Sequence, residues 1–368
     1  MQDHAVTPDA ETQSDSKPQR NAHGFKFTGD GAEYFRIWIV NIVLTVLTLG
    51  IYSAWAKVRN KRYFYGNTHL MGETFEYTAQ PLQILKGRLI AAAIVIPLLI
   101  WGAFNPIVQI VMGIAFFFLF PWIAVKSLQF NAHYSNYRGV PFSFQGSYGS
   151  AIGAFIGWPI LGILTFGLLY PFAFYKQQAF KFGGHGYGRS RMKFEATAGD
   201  YYKLALILIG LFVLGILAFL AISAVLGAVG AMIVGAADAN QDAAAGGLAS
   251  LGIGIYLLSL VAYFAYFAYA AVYNANLAQN NVLLRKHGFI SRWEFFSYFK
   301  LLLVNTVLIV LTLGLFYPWA KVRTARYKAE HLLFVQHGEL DTFIAEEKEK
   351  VAAFGQEMGD VMDLEIAI

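Results

Sequence analysis

Two long stretches of the chain carry almost no charge, and both read as pairs of membrane helices. Leu89 to Val125 contains no charged residue, with Asn105-Pro106 in its middle as a natural turn. Leu204 to Leu284 is similar, broken only by a polar stretch holding Asp238, Asn240 and Asp242. Roughly 20 apolar residues in helical rise match a hydrocarbon core of about 30 Å, so each stretch predicts a hairpin that crosses a bilayer and returns.

A second pattern is repetition. Tyr34-Phe35, Val40-Asn41, Leu47-Thr48-Leu49-Gly50 and Trp55-Ala56-Lys57-Val58-Arg59, then Arg62 and Tyr63, form the first copy. They recur as Tyr298-Phe299, Val304-Asn305, Leu311-Thr312-Leu313-Gly314 and Trp319-Ala320-Lys321-Val322-Arg323, then Arg326 and Tyr327, at a constant offset. A weaker middle copy has Leu164-Thr165-Phe166-Gly167, Phe172-Ala173 and Lys176, with Phe172 in the place of Trp55. Its flanks match too: Phe142, Phe144 and Gly146 correspond to Phe25, Phe27 and Gly29, and Phe194-Glu195-Ala196-Thr197-Ala198 echoes Phe75-Glu76-Tyr77-Thr78-Ala79.

Each unit therefore contains a short strand-like Phe-x-Phe segment, an apolar motif helix, a basic segment, a Gly-rich β-like hairpin and a two-helix membrane hairpin. The chain divides into an N-terminal tail (1–24), a first unit (25–141), a second unit (142–288), a truncated third (289–335) and an acidic C-terminal tail (336–368). Leu-Thr-Leu-Gly-Ile-Tyr followed by Trp-Ala-Lys-Val-Arg resembles the YjgN-like family of bacterial inner-membrane proteins, a domain of unknown function, over nearly everything from Phe25 to Phe334. The resemblance implies several membrane spans in the inner membrane, and brings no catalytic residue or substrate with it.

Composition agrees: of 368 residues 57% are hydrophobic and only 14% charged, too few for the surface of an ordinary soluble globule of this size. Met1 to Asn21 is rich in Asp, Gln, Ser and Pro, lacks the apolar core of a cleavable signal peptide, and reads as a disordered tail. No cysteine is present, which excludes disulfides, thiolate zinc sites and cysteine nucleophiles. The end from Glu339 to Glu365 is acidic, and its Glu346-Glu347-Lys348-Glu349-Lys350 run reads as a solvated helix or loose tail.

Charge in the loops orients the chain, because Lys and Arg are retained on the cytoplasmic side. The turns near Asn105 and Asp238 have no basic residue, whereas every other connection does, among them Lys86 and Arg88, Lys126 and Arg138, Arg189 and Arg191, and Arg285 and Arg292. The fold class expected is an all-α polytopic membrane protein with internal repeats and short β-hairpins at the membrane surface. Four full spans plus three motif helices, re-entrant or interfacial, fit the loop charges; seven spans are the alternative, since Arg36 to Trp55 is long enough to cross.

Asn41 and Asn305 lie within apolar helices, where an amide needs a hydrogen-bond partner on a neighbouring helix or a polar ligand. Trp55, Lys57, Arg59 and Arg62, Lys176 in the middle unit, and Trp319, Lys321, Arg323 and Arg326 suit anchoring at the headgroups of anionic phospholipid. Gly50, Gly167 and Gly314 are expected to break or bend the motif helices. His69, His133, His185, His287 and His331 fall beside the membrane without metal-ligand spacing. No nucleophile elbow, metalloprotease helix or hydrolytic carboxylate pair is present, and no acidic residue lies deep in a span. The expectation is therefore a non-enzymatic protein without cofactor, metal or nucleic-acid partner. Its function is read as a transporter or channel-like protein for a small solute or lipid, with a scaffold or anionic-lipid-binding protein as the alternative.

Overall fold

The computed structural model describes residues 20–236 and 241–366. Its chain alternates between strand pairs and helical hairpins. From β1 (Arg20–Phe27) it runs through α1 (Gly31–Leu47) and α2 (Ser53–Gly66) to β2 (Thr68–Leu70). From β3 (Glu73–Tyr77) it passes through α3 (Pro81–Phe104) and α4 (Pro106–His133) to β4 (Ser135–Tyr137). From β5 (Val140–Phe144) it passes through α5 (Tyr148–Ile152), a π-helical turn (Gly153–Gly157), α6 (Trp158–Leu164) and α7 (Tyr170–Gly184) to β6 (His185–Tyr187). The fourth excursion leaves β7 (Ser190–Phe194) through α8 (Ala198–Ala236) and α9 (Gln241–Asn280) to β8 (Val282–Leu284). The fifth leaves β9 (His287–Ser291) through α10 (Phe295–Leu311) and α11 (Tyr317–Glu330) to β10 (Leu332–His337), and α12 (Leu340–Ile366) follows.

The strands do not stay as separate hairpins at a membrane surface, and the all-α description is corrected by this. They close into one antiparallel barrel in the order β1-β10-β9-β8-β7-β6-β5-β4-β3-β2. Closure is made by β1 against β10, where Gly24 faces Leu333 across almost the whole chain. Strands of three to eight residues signal weakly in sequence, and pairing at such separation leaves no local trace.

Barrel pairing also fixes how the helices run. Because β1 pairs with β2, with Phe25 opposite Leu70, α1 and α2 must leave and rejoin the same barrel end. The same holds for the other excursions, where Phe75 faces Tyr137, Phe142 faces Tyr187, Met192 faces Leu284 and Phe334 faces Phe289. Five helical hairpins thus stand on one rim. Neighbouring helices touch all the way round, from α1 to α11 and back to α1. Among the described residues four helices, α3, α4, α8 and α9, are long and apolar enough to cross a membrane. Helices α1 and α10, at 17 residues each, fall roughly 10 Å short of the 24-residue α3 at 1.5 Å per residue.

The Leu-Thr-Leu-Gly block makes the short hairpins turn. Leu49, Phe166 and Leu313 have φ of 49°, 52° and 50°, and Gly50, Gly167 and Gly314 follow at 91°, 90° and 92°, a left-handed step that favours glycine. Each glycine N–H closes the outgoing helix, Gly50 on the Thr45 carbonyl and Gly314 on that of Ile309. The threonine then starts the returning helix: Thr48 Oγ1 accepts from the Tyr52 N–H at 2.9 Å, Thr165 from Leu169 at 3.1 Å and Thr312 from Phe316 at 2.9 Å. Leu49, Phe166 and Leu313 at the tips are at least 94% exposed. In the long hairpin Asn105 ends α3 and caps α4, accepting from Ile107 and Val108 ahead of the restraint set by Pro106.

The tail expected over 1–24 lies outside the described residues as far as 19, while 20–24 belong to β1. The polar turn at Asp238 and Asn240 is likewise outside them. Strands β3 and β7 correspond at the same offset as the motif helices, so Phe194 stands where Tyr77 does, and Met192 is the partner of Phe75.

Candidate functional site

Each strand sends an apolar side chain to the barrel axis. Phe25, Phe75, Phe142, Met192 and Phe289 alternate with Leu70, Tyr137, Tyr187, Leu284 and Phe334, each opposite its register partner. Residues of a strand point alternately to its two faces, so a fixed register stacks these ten into one layer. Tyr137 and Tyr187 satisfy their hydroxyls within the wall, donating to the Leu70 and Tyr137 carbonyls at 2.8 and 2.9 Å.

On the helix side of this layer lies a chamber of about 620 Å³. Its floor is Phe25, Phe75, Phe142 and Met192, and its walls come from the returning helices: Phe64 and Tyr65 of α2, Asn131 of α4, Lys181 and Phe182 of α7, Ala325 and Lys328 of α11. A second cavity of about 410 Å³ shares Phe64, Ala325 and Lys328 with it and runs along α10 and α11 to Asn305 and Lys321. Among the described residues neither is lined by an acidic one. Lys328 is open to the chamber, yet burial by the surrounding chain, and secondarily the charge of Lys181, hold its pKa below the ordinary lysine value. Lys328 lies over the Trp293 ring at 5.8 Å and Lys181 over Phe182 at 5.3 Å.

The opposite mouth of the barrel is filled by α12. Leu340, Phe343, Ile344 and Glu347, at helical i, i+3, i+4 and i+7 spacing, are all buried, the first three against the apolar layer. Glu347 accepts from the Arg189 N–H at 2.7 Å and the Ser190 hydroxyl at 2.8 Å, and pairs with Lys350 at 3.0 Å and Arg285 at 3.4 Å. Burial alone would raise its pKa; these donors outweigh burial and hold it below the usual carboxylate value. Arg138 pairs with Asp341 at 2.7 Å, and Arg285 with Glu346 at 2.9 Å. The acidic C-terminal stretch thus docks on the basic turns between strands.

The residues singled out by the repeat sit along the short hairpins. Asn41 Nδ2 donates to Asn60 Oδ1 at 3.1 Å, within its own hairpin. Asn305 Nδ2 lies 3.4 Å from both the Ala320 carbonyl and Thr324 Oγ1, so both amides fasten a short hairpin across its two legs. Trp55 stacks on Tyr52, and Lys57 is half-buried while Arg59 is exposed. Trp319 instead packs on Phe35 with ring centroids 4.9 Å apart, closing the helix ring between third and first units. Lys321 points inward, donating to the Tyr34 hydroxyl at 3.2 Å and lying over the Phe64 ring. Arg323 is half-buried on α11, and Lys176 lies over the Phe172 and Tyr175 rings.

Arg62 and Arg326 perform one structural task twice. Arg62 holds the Tyr77 and Ala79 carbonyls before α3, and Arg326 holds the Gly29 carbonyl before α1. Tyr63 and Tyr327 act similarly on the starts of α1 and α10, each accepting from and donating to the backbone of Asp30 or Glu294. The repeat had displayed these four residues without showing what they touch. Lys181 and Lys328 gave no motif signal, and Glu347 stood in a run expected to be a solvated helix or loose tail, whereas α12 docks on the barrel and buries it; all three acquire meaning only where distant elements converge. Among the histidines, His185 bonds the Lys181 carbonyl, and His287 is buried in the barrel against Phe334 and Phe343.

Comparison with known proteins follows the same lines. The chain is 35% identical over 127 residues to the inner membrane protein YjgN of Escherichia coli K12, covering 34% of this chain and 32% of that one. It is 35% identical over 147 residues to YjgN of Salmonella typhimurium LT2, covering 40% and 37%. The matched segments thus span about a third of the length of these curated relatives. No solved structure matches the chain. Residues 22–361 match the family described as bacterial protein of unknown function, DUF898; the chain belongs to that family and is a multi-pass protein of the bacterial inner membrane.

Proposed function

We propose that the protein is a non-catalytic carrier that takes a small solute or lipid from the bilayer into the chamber at the base of the helix ring. The observation that supports this reading is the chamber of about 620 Å³, walled by returning helices and sharing Phe64, Ala325 and Lys328 with the cavity that climbs α10 and α11. Its volume falls within the roughly 300–1,000 Å³ of ordinary ligand cavities. The short hairpins end below the long ones, which leaves the ring lower on those sides and gives a ligand a lateral way in from hydrocarbon. A permanently open pore is the less favoured form, because the apolar layer and α12 occupy the barrel.

Reconstitution into phosphatidylcholine vesicles tests the carrier reading. Protein-dependent movement of a labelled amphiphile or solute across or between vesicles is expected, reduced when bulky side chains fill the chamber at Ala325. The scaffold alternative is favoured by the exposed cations Arg59 and Arg292, which suit anionic headgroups. Tight binding to anionic vesicles with no protein-dependent flux would select it.

A further inference from the structure

We propose that the chamber binds a single-chain amphipathic anion, its tail against the aromatic floor and its acidic head between Lys181 and Lys328. The inference rests on the carrier reading for its physiological meaning, since a bound amphiphile would be the cargo, but the binding itself stands on separate observations.

The first is the mismatch of the lining. A floor of Phe25, Phe75, Phe142 and Met192 offers hydrocarbon contact, while two ammonium groups face the same space with no acid among the lining residues. Among the described residues neither Lys181 nor Lys328 forms an ion pair. Arg138 and Arg285, at the opposite mouth of the barrel, are matched by carboxylates of α12, whereas the two chamber lysines have no carboxylate partner among the described residues and leave positive charge inside the cavity for a ligand to meet. The burial that depresses the Lys328 pKa is a desolvation penalty that an anion in contact would offset.

The second observation is shape. The head position beside Lys328 is also the junction with the second cavity, which shares Phe64 and Ala325. A ligand there can extend one apolar chain over the floor or up between α10 and α11, while a small inorganic anion would leave most of the apolar wall uncovered. Burial of apolar surface contributes about 25 cal/mol per Å², so the tail supplies affinity and the lysines select the sign of the head.

The test uses the full chain in phosphatidylcholine nanodiscs and displacement of a fluorescent fatty acid. Laurate and dodecyl phosphate are expected to compete, monolauroylglycerol at least tenfold more weakly, and inorganic phosphate without measurable effect. Lys181→Gln with Lys328→Gln should weaken laurate at least tenfold, Lys181→Arg with Lys328→Arg should retain it, and Lys203→Gln, outside the chamber, should change nothing. Equal binding of monolauroylglycerol, effective competition by phosphate, or a folded Gln pair with unchanged affinity would overturn the proposal. If the Gln pair does not fold, the ranking of the four probes on the unaltered chain decides. Laurate binding without vesicle flux leaves this site standing and removes the carrier reading; flux that ignores both lysines does the reverse.

Discussion

The Glu347 carboxylate accepts from the Ser190 hydroxyl at 2.8 Å, joining the N-terminal third of α12 to the start of β7. A carboxylate with no exposed surface is tolerated there because two backbone N–H groups, a hydroxyl and two cations surround it. Leaving those donors unmet would be costly.

Glu347→Ala should therefore loosen α12 from the barrel by about 2 kcal/mol, a figure kept low because Arg285 and Lys350 remain partly solvated. Ser190→Ala should cost about 1 kcal/mol, and the two should add to less than their sum because they remove one shared bond. Hydrogen exchange of α12 backbone amides reads both. The pH dependence follows from the depressed carboxylate: its contribution is fully present above the ordinary value of 4.5 and fades as pH falls through the lower folded value. Docking that weakened between pH 6 and 8 would contradict this assignment of charge.

Turn geometry makes a second prediction. Gly50→Ala or Gly314→Ala places a side chain at φ near 90° and should destabilise the protein by about 1–2 kcal/mol. Thr48→Val, which removes the acceptor for Tyr52 N–H, should cost about 1 kcal/mol. Thermal unfolding midpoints in a single detergent compare the variants, and an unchanged midpoint for both glycine substitutions would remove the turn from the account.

Ring closure depends on a close approach. A Cβ on Gly31 would lie 2.2 Å from Trp319 Cδ1, so Gly31→Ala should cost about 1–3 kcal/mol by overpacking. Trp319→Leu in the same chain should recover part of that loss, because the two sites are in contact and their effects are coupled. Strictly additive losses would show that α1 and α11 meet elsewhere.

The absence of native cysteine permits a clean test of sidedness. A single cysteine at Asn105 and one at Gly139 should react with a membrane-impermeant maleimide from opposite sides of the membrane. A cysteine at Leu49 or Leu313 should resist labelling from either. Labelling of Leu49→Cys from the Asn105 side would mean that the short hairpins cross.

Hydropathy and repetition made much of this protein legible before any coordinates. The uncharged stretches gave the long hairpins, since solvation by hydrocarbon is a property of composition over a window. The repeated Thr, Leu and Gly marked the short turns, since a helix reversal is built from bonds between residues only four or five apart. Which basic residues face lipid and which face inward was not legible in the same way. Lys57 and Lys321 occupy equivalent repeat positions, yet Lys321 donates to Tyr34, a residue from the other end of the chain.

By itself, then, the sequence determined that the chain lives in a membrane, where its long helices lie and where its short ones reverse, because each of these is decided by neighbours along the chain. Only the tertiary structure decided that ten brief strands close on themselves, that an acidic helix fills one mouth, and that Lys181 and Lys328 meet above an aromatic floor. Those features depend on register and on contacts between residues more than a hundred positions apart, and no local window contains both partners.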